Sequence, residues 1–560
     1  MNLTKRQKKY IKNNYPRNSI QEISKSLNVK IDVIVNYLRL TGLYQVPTKK
    51  RYSKKWFRTN NFYFSIVLLV LSIVIGIYCF DKKLYISGDN VEFIELGKSI
   101  AGGKGLSGNP KYPFGFPLLL ALTQMLFNQS LLAQKVLVLL MYISSSVLVF
   151  LIFKRFIGER WAFLVTFLSV TNPFVIEFSH YVMSEIPFLF FSFLGIYLFE
   201  IFKDKSLKSW QIYIAILAVA GVYYVRSIGI ALIGAAICYY FLKKEWKKGL
   251  IISGLFFILW IPWYIRGKTV SAGGSYFNQF LYRDPYRPEL GYIDFTAFIE
   301  RLVLNFKTYF FVEIPYGIIP YHFRTSMVHG GILPLFLGII LTGIFMAGLI
   351  WAFLNRQYLL SVYGIFYLAV VMIWPEVWRG ARFIIPIIPI FVFFTAYFLY
   401  KLYKISYNKV NKNLIYGLLV SVALLLLLIT FKNIYSYRGL MKNYPPEWAN
   451  YFKAAEWARD NTPKDCIIAD RKAGLFGTVS LRRCTGFPST TDRKVIIKYF
   501  YDSNVDFVVV PNPRIGYSYS IITCLVPAIN EYRDRFSQVF FIDNPPTYIF
   551  QFNRTGKIPE

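Results

Sequence analysis

Residues 85–122 read YISGDNVEFIELGKSIAGGKGLSGNPKYPFGFPLLLAL and follow directly on the first long apolar run of the chain, near 62–80. A run of that length crosses a bilayer, so Asp89 falls a few residues beyond the point where the chain leaves the hydrocarbon. Behind it Phe93, Ile94, Leu96, Gly97 and Ile100 recur on one helical face, with Glu92, Glu95 and Lys98 towards the other. This is the spacing of a helix lying in the membrane interface, and it predicts a carboxylate held at head-group depth. Past a Gly-rich link, PFGFPLLLALTQMLF (113–127) is too short and too broken by proline to cross alone, and reads as a re-entrant or interfacial helix.

Composition sets the class. Of 560 residues 55% are hydrophobic and 19% aromatic, well above a soluble domain, so a polytopic membrane protein is expected. The formal charge of +34 would suggest nucleic acid in a soluble protein. In a membrane protein the same excess gathers in cytoplasmic loops and against lipid head groups, so membrane lipids, rather than a nucleic acid, are the expected partners. The cysteines lack metal spacing, and only Cys466 and Cys484 are placed for a disulfide.

Residues 1–61 carry fifteen Lys or Arg against one Glu and one Asp, and the first apolar run begins only near Phe62, so no signal peptide is expected. Ser19 is a candidate N-cap with Glu22 at N3. SKSLNVKIDVIVNYLRLTGL resembles a helix-turn-helix, with Ile20, Ile23, Leu27, Val33, Val35 and Leu38 as its core. Two readings stand: a basic cytoplasmic module for anchoring or partner contact, or a DNA-binding element of a membrane-anchored regulator.

Eleven apolar spans can be counted, at about 62–80, 131–153, 161–179, 186–202, 210–225, 228–242, 250–265, 331–353, 358–374, 383–400 and 413–431. With the basic N-terminus inside, KRFIGER, KDKSLKS, KKEWKK, NRQ and KLYKISYNKVNK become the inner loops, as the positive-inside rule requires. The C-terminal part then lies outside. The charged residues left over all face that outer compartment: Asp89 and Glu92, His180 and Glu185 in HYVMSEIP, Arg226 in YYVRSIG, the loop 266–330, and Glu376, Arg379 and Arg382 in WPEVWRGARFIIPIIP. Charge at membrane depth is expensive and marks sites. Arginines bind phosphate oxygens and a carboxylate takes a proton from a hydroxyl, which suits a membrane-anchored phosphate ester as donor.

The order SGD, interfacial helix, YPFGFPLLLAL, RFIGERWAFLVTFLSVTNPFVIEFSHYVMSEIPFLFF, YYVRSIG and RFIIPIIP resembles the integral-membrane GT-C glycosyltransferases, in the branch of protein O-mannosyltransferases and lipid A aminoarabinose transferases. The resemblance covers roughly residues 60–430. It implies transfer of a sugar from a polyprenyl- or dolichyl-phosphate carrier to an acceptor hydroxyl of a protein, lipid or glycan, at the outer face of the plasma membrane. By position it makes Asp89 the essential first-loop acid and Glu185 the second acid, and it gives Arg226 and Arg382 the carrier phosphate; Arg379 is grouped with them. Asn90 stands where protein mannosyltransferases usually have Glu, and the WWD motif of oligosaccharyltransferases is missing.

Each residue also has a plainer reading. Asp89 suits a helix cap, Glu185 complements a helix dipole, and arginines at span ends snorkel to head groups. Glu185 with His180 leaves a divalent metal open as a cofactor. The loop 266–330 is long enough for a lid, and its Tyr residues suit stacking on a sugar or simply the interface.

After Thr430, PPEWANYFKAAEWARDNTP places Trp448, Tyr451, Phe452, Ala455 and Ala458 at helical spacing before Asn-Thr-Pro ends it. CIIAD, VDFVVVP and TYIFQF read as strands, with KVIIKYFYDS as a helix. The expected fold class is a polytopic α-helical membrane protein, GT-C-like with about 11–13 spans. Its expected parts are a helix-turn-helix-like domain over 1–50, a transmembrane domain over 60–431 with outer loops 81–130 and 266–330, and an extracytoplasmic α/β domain over 432–560. The rival reading from another class is a membrane-anchored DNA-binding sensor. A transporter would need repeated halves, and none is seen.

Overall fold

A computed structural model describes residues 3–15, 20–29, 31–41, 60–106, 112–128, 130–269, 276–285, 290–319, 332–378, 380–406, 412–441, 443–512 and 520–554. The chain forms two compact units, Met1–Tyr63 and Phe64–Glu560.

In the first unit lie α1 (Lys5–Asn14), α2 (Ile20–Leu27) and α3 (Ile31–Leu40). Thr4 caps α1 by accepting from the Gln7 amide at 3.3 Å, while its own amide donates to the Gln7 side chain at 2.9 Å. The core is Ile11, Ile23, Ile34 and Leu38, with Ile20 and Leu27 packed against it. Ile34 takes the place expected for Val33 and Val35, because it is Ile34 that stands one turn before Leu38 on α3. Ser19 lies outside the described residues.

Helix α4 (Asn60–Cys79) carries the chain from the first unit into the second, which goes on through α5 (Gly88–Ala101), α6 (Gly115–Leu126), α7 (Leu131–Ile157), α8 (Glu159–Val170), α9 (Pro173–Glu177) and α10 (Glu185–Phe202). It continues through α11 (Trp210–Val225), α12 (Ile230–Leu242), α13 (Trp246–Thr269), α14 (Tyr276–Leu281), α15 (Phe295–Thr308) and α16 (Ile314–Ile318). Then come α17 (Ile332–Leu354), α18 (Tyr358–Ile373), α19 (Ile388–Ser406) and α20 (Lys412–Met441). Among the described residues six helices are long and apolar enough to cross a membrane, or seven if one bent pair counts as a span. The protein is a multi-pass membrane protein. The expected spans at 210–225, 228–242 and 358–374 are present as apolar helices shorter than that length.

The bent pair corrects the single span expected over 161–179: α8 and the helix from Pro173 to His180 meet at 58°. Pro173 removes a backbone donor there, and the Asn172 side chain caps the new helix through the Phe174 amide at 3.0 Å. Tyr142 donates to the freed carbonyl of Val170 at 3.0 Å.

Basic residues gather at one end of the bundle. Arg155 donates to the carbonyl of Glu200, and Lys248 to that of Lys203, at 3.4 and 3.0 Å. Lys135 and Arg155 sit twenty residues apart on α7, so about 30 Å separates this end from the Lys135 end.

The C-terminal region contains α21 (Pro446–Asn461), α22 (Ala473–Ser480), α23 (Arg493–Asp502) and α24 (Val526–Glu531) around a sheet. Its strands are β1 (Ile467–Ala469), β2 (Arg483–Thr485), β3 (Phe507–Val510), β4 (Phe536–Ile542) and β5 (Thr547–Phe552), in the order β2-β1-β3-β5-β4. Strands β1, β2 and β3 run parallel, while β5 is antiparallel to β3 and β4. One face, with Ile468, Val509 and Ile549, joins Trp448, Tyr451 and Phe452 of α21 in a core continuous with the membrane helices. The other packs Val508 and Phe552 on Ile496, Ile497 and Phe500 of α23. Cys466 and Cys484 are free thiols rather than a disulfide. Cys484 pairs across the sheet with Ile468, so Cys466, which precedes β1, stands two residues away from that pairing.

Candidate active site

Helix α5 buries Phe93, Ile94, Leu96 and Gly97 of the apolar face read from its spacing, with Val91 in addition, while Ile100 is only half-buried. Gln124 of α6 locks it in register by donating to the carbonyl of Ile94 at 3.0 Å. Asp89 sits in the first turn of α5, and both its oxygens are engaged. The Tyr112 hydroxyl donates to Oδ1 at 2.7 Å, and Arg382 Nη1 stands 2.7 Å from Oδ2. The next residue, Asn90, is buried and donates to the carbonyl of Tyr85 at 3.3 Å. A neutral side chain fits that internal place, where the resemblance leads one to expect Glu.

Arg382 also donates from Nε to Glu185 Oε1. Gly380, at φ 139°, turns the chain just before it, a conformation that glycine accepts without strain, and a 3₁₀ segment, Ala381–Ile387, follows. Glu185 is the first residue of α10 and has no exposed surface. The same Oε1 stands 2.7 Å from Arg226 Nη1. Arg226 ends α11 in extended conformation, φ −157°, and its carbonyl accepts from the Gly229 amide at 2.8 Å. A Cβ at Gly229 would lie 2.7 Å from the backbone of Val222 and Tyr223, so only glycine permits the turn that aims Arg226 inward. The Arg226 guanidinium lies over the Phe383 ring, 5.4 Å from its centroid.

Asp89, Arg382, Glu185 and Arg226 thus form one chain of ion pairs drawn from four distant segments. Exposure is greatest at the Asp89 and Arg382 side chains, 30% each, against 15% for Arg226 and none for Glu185. Two acids and two arginines leave the cluster formally neutral. Arg379 lies outside the described residues.

His180 is turned elsewhere. Its Nε2 faces Asp81 Oδ2 at 3.2 Å, and Lys135 donates to Asp81 Oδ1 at 2.8 Å and to the Lys83 carbonyl at 2.6 Å. Burial alone would raise the Asp81 pKa, but the His180 hydrogen bond and the Lys135 ammonium hold this carboxyl well below the usual carboxylate range. His180 and Glu185 therefore do not converge: His180 faces the Asp81 carboxylate, and Glu185 faces Arg226 and Arg382. Among the described residues no cluster of three His, Cys, Asp or Glu side chains gathers, and Glu185 is flanked by two guanidinium groups. These donors do not fit a divalent metal.

Tyr112 was not singled out by sequence, because a Tyr before Pro-Phe-Gly-Phe looks like any interfacial aromatic. Asp81 and Lys135 were missed too, although a lysine inside an apolar span is itself a signal. The described parts of the loop 266–330 are tied down. Arg301, almost wholly buried, donates to the carbonyls of Phe280 and Tyr282, each at 2.8 Å, and the Tyr282 and Tyr292 rings stack 5.2 Å apart.

Residues 111–265 match the family of dolichyl-phosphate-mannose-protein mannosyltransferases; that segment holds Tyr112, Glu185 and Arg226. No curated protein sequence matches the chain. Among solved structures, the archaeal oligosaccharyltransferase AglB from Archaeoglobus fulgidus, in complex with an inhibitory peptide and a dolichol-phosphate, is similar with a TM-score of 0.52 at 14% identity, over 90% of this chain and 75% of that one. ArnT from Cupriavidus metallidurans is similar with a TM-score of 0.55, at 12% identity in the apo state and 11% bound to undecaprenyl phosphate, over 88% of this chain and 98% of that one. The chain thus has the GT-C fold of these integral-membrane structures, with a segment over residues 111–265 similar to the protein mannosyltransferase family.

Proposed function

We propose that the protein is a glycosyltransferase that moves a sugar from a polyprenyl-phosphate carrier to an acceptor hydroxyl. The observation that carries this reading is the bridging of Asp89 and Glu185 by Arg382, with Arg226 on the same Glu185 oxygen. The family match and the carrier phosphates named for AglB and ArnT support the donor class.

In the reaction the acceptor oxygen bonds to the anomeric carbon as the bond from that carbon to the phosphate oxygen breaks. Asp89, at the open end of the ion-pair chain, takes the acceptor proton. The phosphate departs with the bonding electrons onto Arg382, with Arg226 behind it, since guanidinium groups match phosphate oxygens. Glu185 is sealed from solvent and acts as a positioning residue that fixes both arginines. The products are the glycosylated acceptor, polyprenyl phosphate and one proton.

The basic end of the bundle would face the cytoplasm together with the N-terminus. Asp89 and the C-terminal region would then face the opposite compartment. Alkaline phosphatase fused after residue 554 would be active only in that orientation.

The deciding experiment offers purified protein a panel of polyprenyl-phosphate sugars and follows their consumption. Asp89→Asn should insert and purify normally and lose turnover. Full turnover by that variant defeats the assignment.

A further inference from the structure

Helix α22 meets α5 at Gly474, where a Cβ would lie 2.9 Å from Val91 Cγ1. Val91 is 3% exposed and two residues beyond Asp89. Two residues turn a helix by about 200°, so Val91 meets the C-terminal region on the side away from the carboxylate. A valine in a helix has one favoured rotamer and cannot swing clear. On its remaining side α5 is held by α6 through the Gln124 bond to Ile94.

The start of α22 is fixed in turn. Asp470 accepts from the Tyr451 hydroxyl at 2.5 Å and from the Lys472 amide at 2.8 Å. The loop entering α5 is tied to the same part of the chain: Tyr444 donates to the Leu84 carbonyl at 2.9 Å, and Lys83 to that of Asn443 at 3.1 Å.

We infer that the C-terminal α/β region sets the position of Asp89 by seating α22 on α5, with Gly474 as the positioning residue that makes the close approach. The inference rests on the glycosyl-transfer reading for its kinetic half only. Adding side-chain atoms at Gly474 displaces α5, and Asp89 leaves the 2.7 Å ion pair with Arg382.

The test uses the full-length protein in detergent and four forms: wild type, Gly474→Val, Val91→Ala and the double variant. Hydrogen exchange of the amides of Gly88–Ala101 is read first, because it needs no donor. Gly474→Val should exchange faster there than wild type, and the double variant should recover, since Val91→Ala removes the Cγ1 methyl that clashes. With the donor found by the panel, Gly474→Val should lower kcat by up to about 100-fold, as expected for a misplacement near 1 Å. Its KM for donor should stay close to wild type, and the double variant should regain most of kcat. Wild-type exchange in Gly474→Val, or a loss that Val91→Ala does not repair, overturns the inference. If Asp89→Asn is dead while Gly474→Val turns over normally, this inference fails and the site assignment stands; if Asp89→Asn is active, the site assignment fails.

Discussion

Asp89 gives one oxygen to Tyr112 and the other to Arg382, so its orientation depends on two groups that can be removed separately. A hydrogen bond to a charged group contributes about 1.5–3 kcal/mol. Tyr112→Phe keeps the ring against Phe93, 4.9 Å away between centroids, and removes only the hydroxyl. It should lower kcat by roughly 10- to 100-fold with donor KM unchanged, and steady-state kinetics on the purified variant would show whether the fall is confined to kcat. Arg382→Lys tests the second contact. A lysine offers a point charge and cannot span two carboxylates as a planar guanidinium does. This variant should raise donor KM as well as lower kcat, because both the phosphate contact and the Asp89–Glu185 bridge go. A donor KM like that of wild type would argue against a phosphate contact at Arg382.

At the scale of elements, Asp81, Lys135 and His180 join the end of α4, the start of α7 and the turn that leads into α10. Lys135 and Asp81 are 2% and 9% exposed, so neither is relieved by water if its partner is lost. Breaking a buried pair on one side costs about 3–5 kcal/mol, whereas replacing both partners costs much less. Lys135→Met and Asp81→Asn should therefore each lower the thermal midpoint markedly, and the double variant should recover most of it. Additive losses in that cycle would show that the two groups act independently.

The same elements show what could be read from sequence. Apolar runs gave the membrane helices, and charges at their ends gave Asp89, Glu185, Arg226 and Arg382, because charge in an apolar setting is visible without knowing the fold. The break before Pro173 was passed over, since hydropathy does not register a bend that the Asn172 side chain stabilises. Strand β2 is three residues of polar sequence, Arg483–Thr485, and is a strand only because β1 lies beside it. The His180–Asp81 contact joins residues 99 positions apart, a distance across which no spacing rule operates.

For the molecule as a whole, the C-terminal sheet and the membrane helices share one apolar core, so a weakness in the sheet should be felt by the bundle. Asp470 supplies such a weakness and a way to measure it. It is fully buried at the end of β1, and burial raises its pKa to about 6, opposed by the Tyr451 hydroxyl and the Lys472 amide. The folded pKa is above the unfolded value near 3.8, so folding favours the neutral carboxyl. Its contribution is therefore fully present below about pH 4 and is lost as pH rises through about 6. A pKa of about 6 in place of 3.8 corresponds to about 3 kcal/mol across that window. Asp81 works in the opposite sense, because its carboxyl is depressed, and its stability fades only as pH falls below the usual carboxylate range. The two are separated by comparing wild type with Asp470→Asn, which keeps the shape of the side chain and cannot ionise. The difference in thermal midpoint between the two proteins should grow in favour of Asp470→Asn from pH 4 to pH 7. A difference that stays constant over this range would mean that Asp470 does not change its charge there.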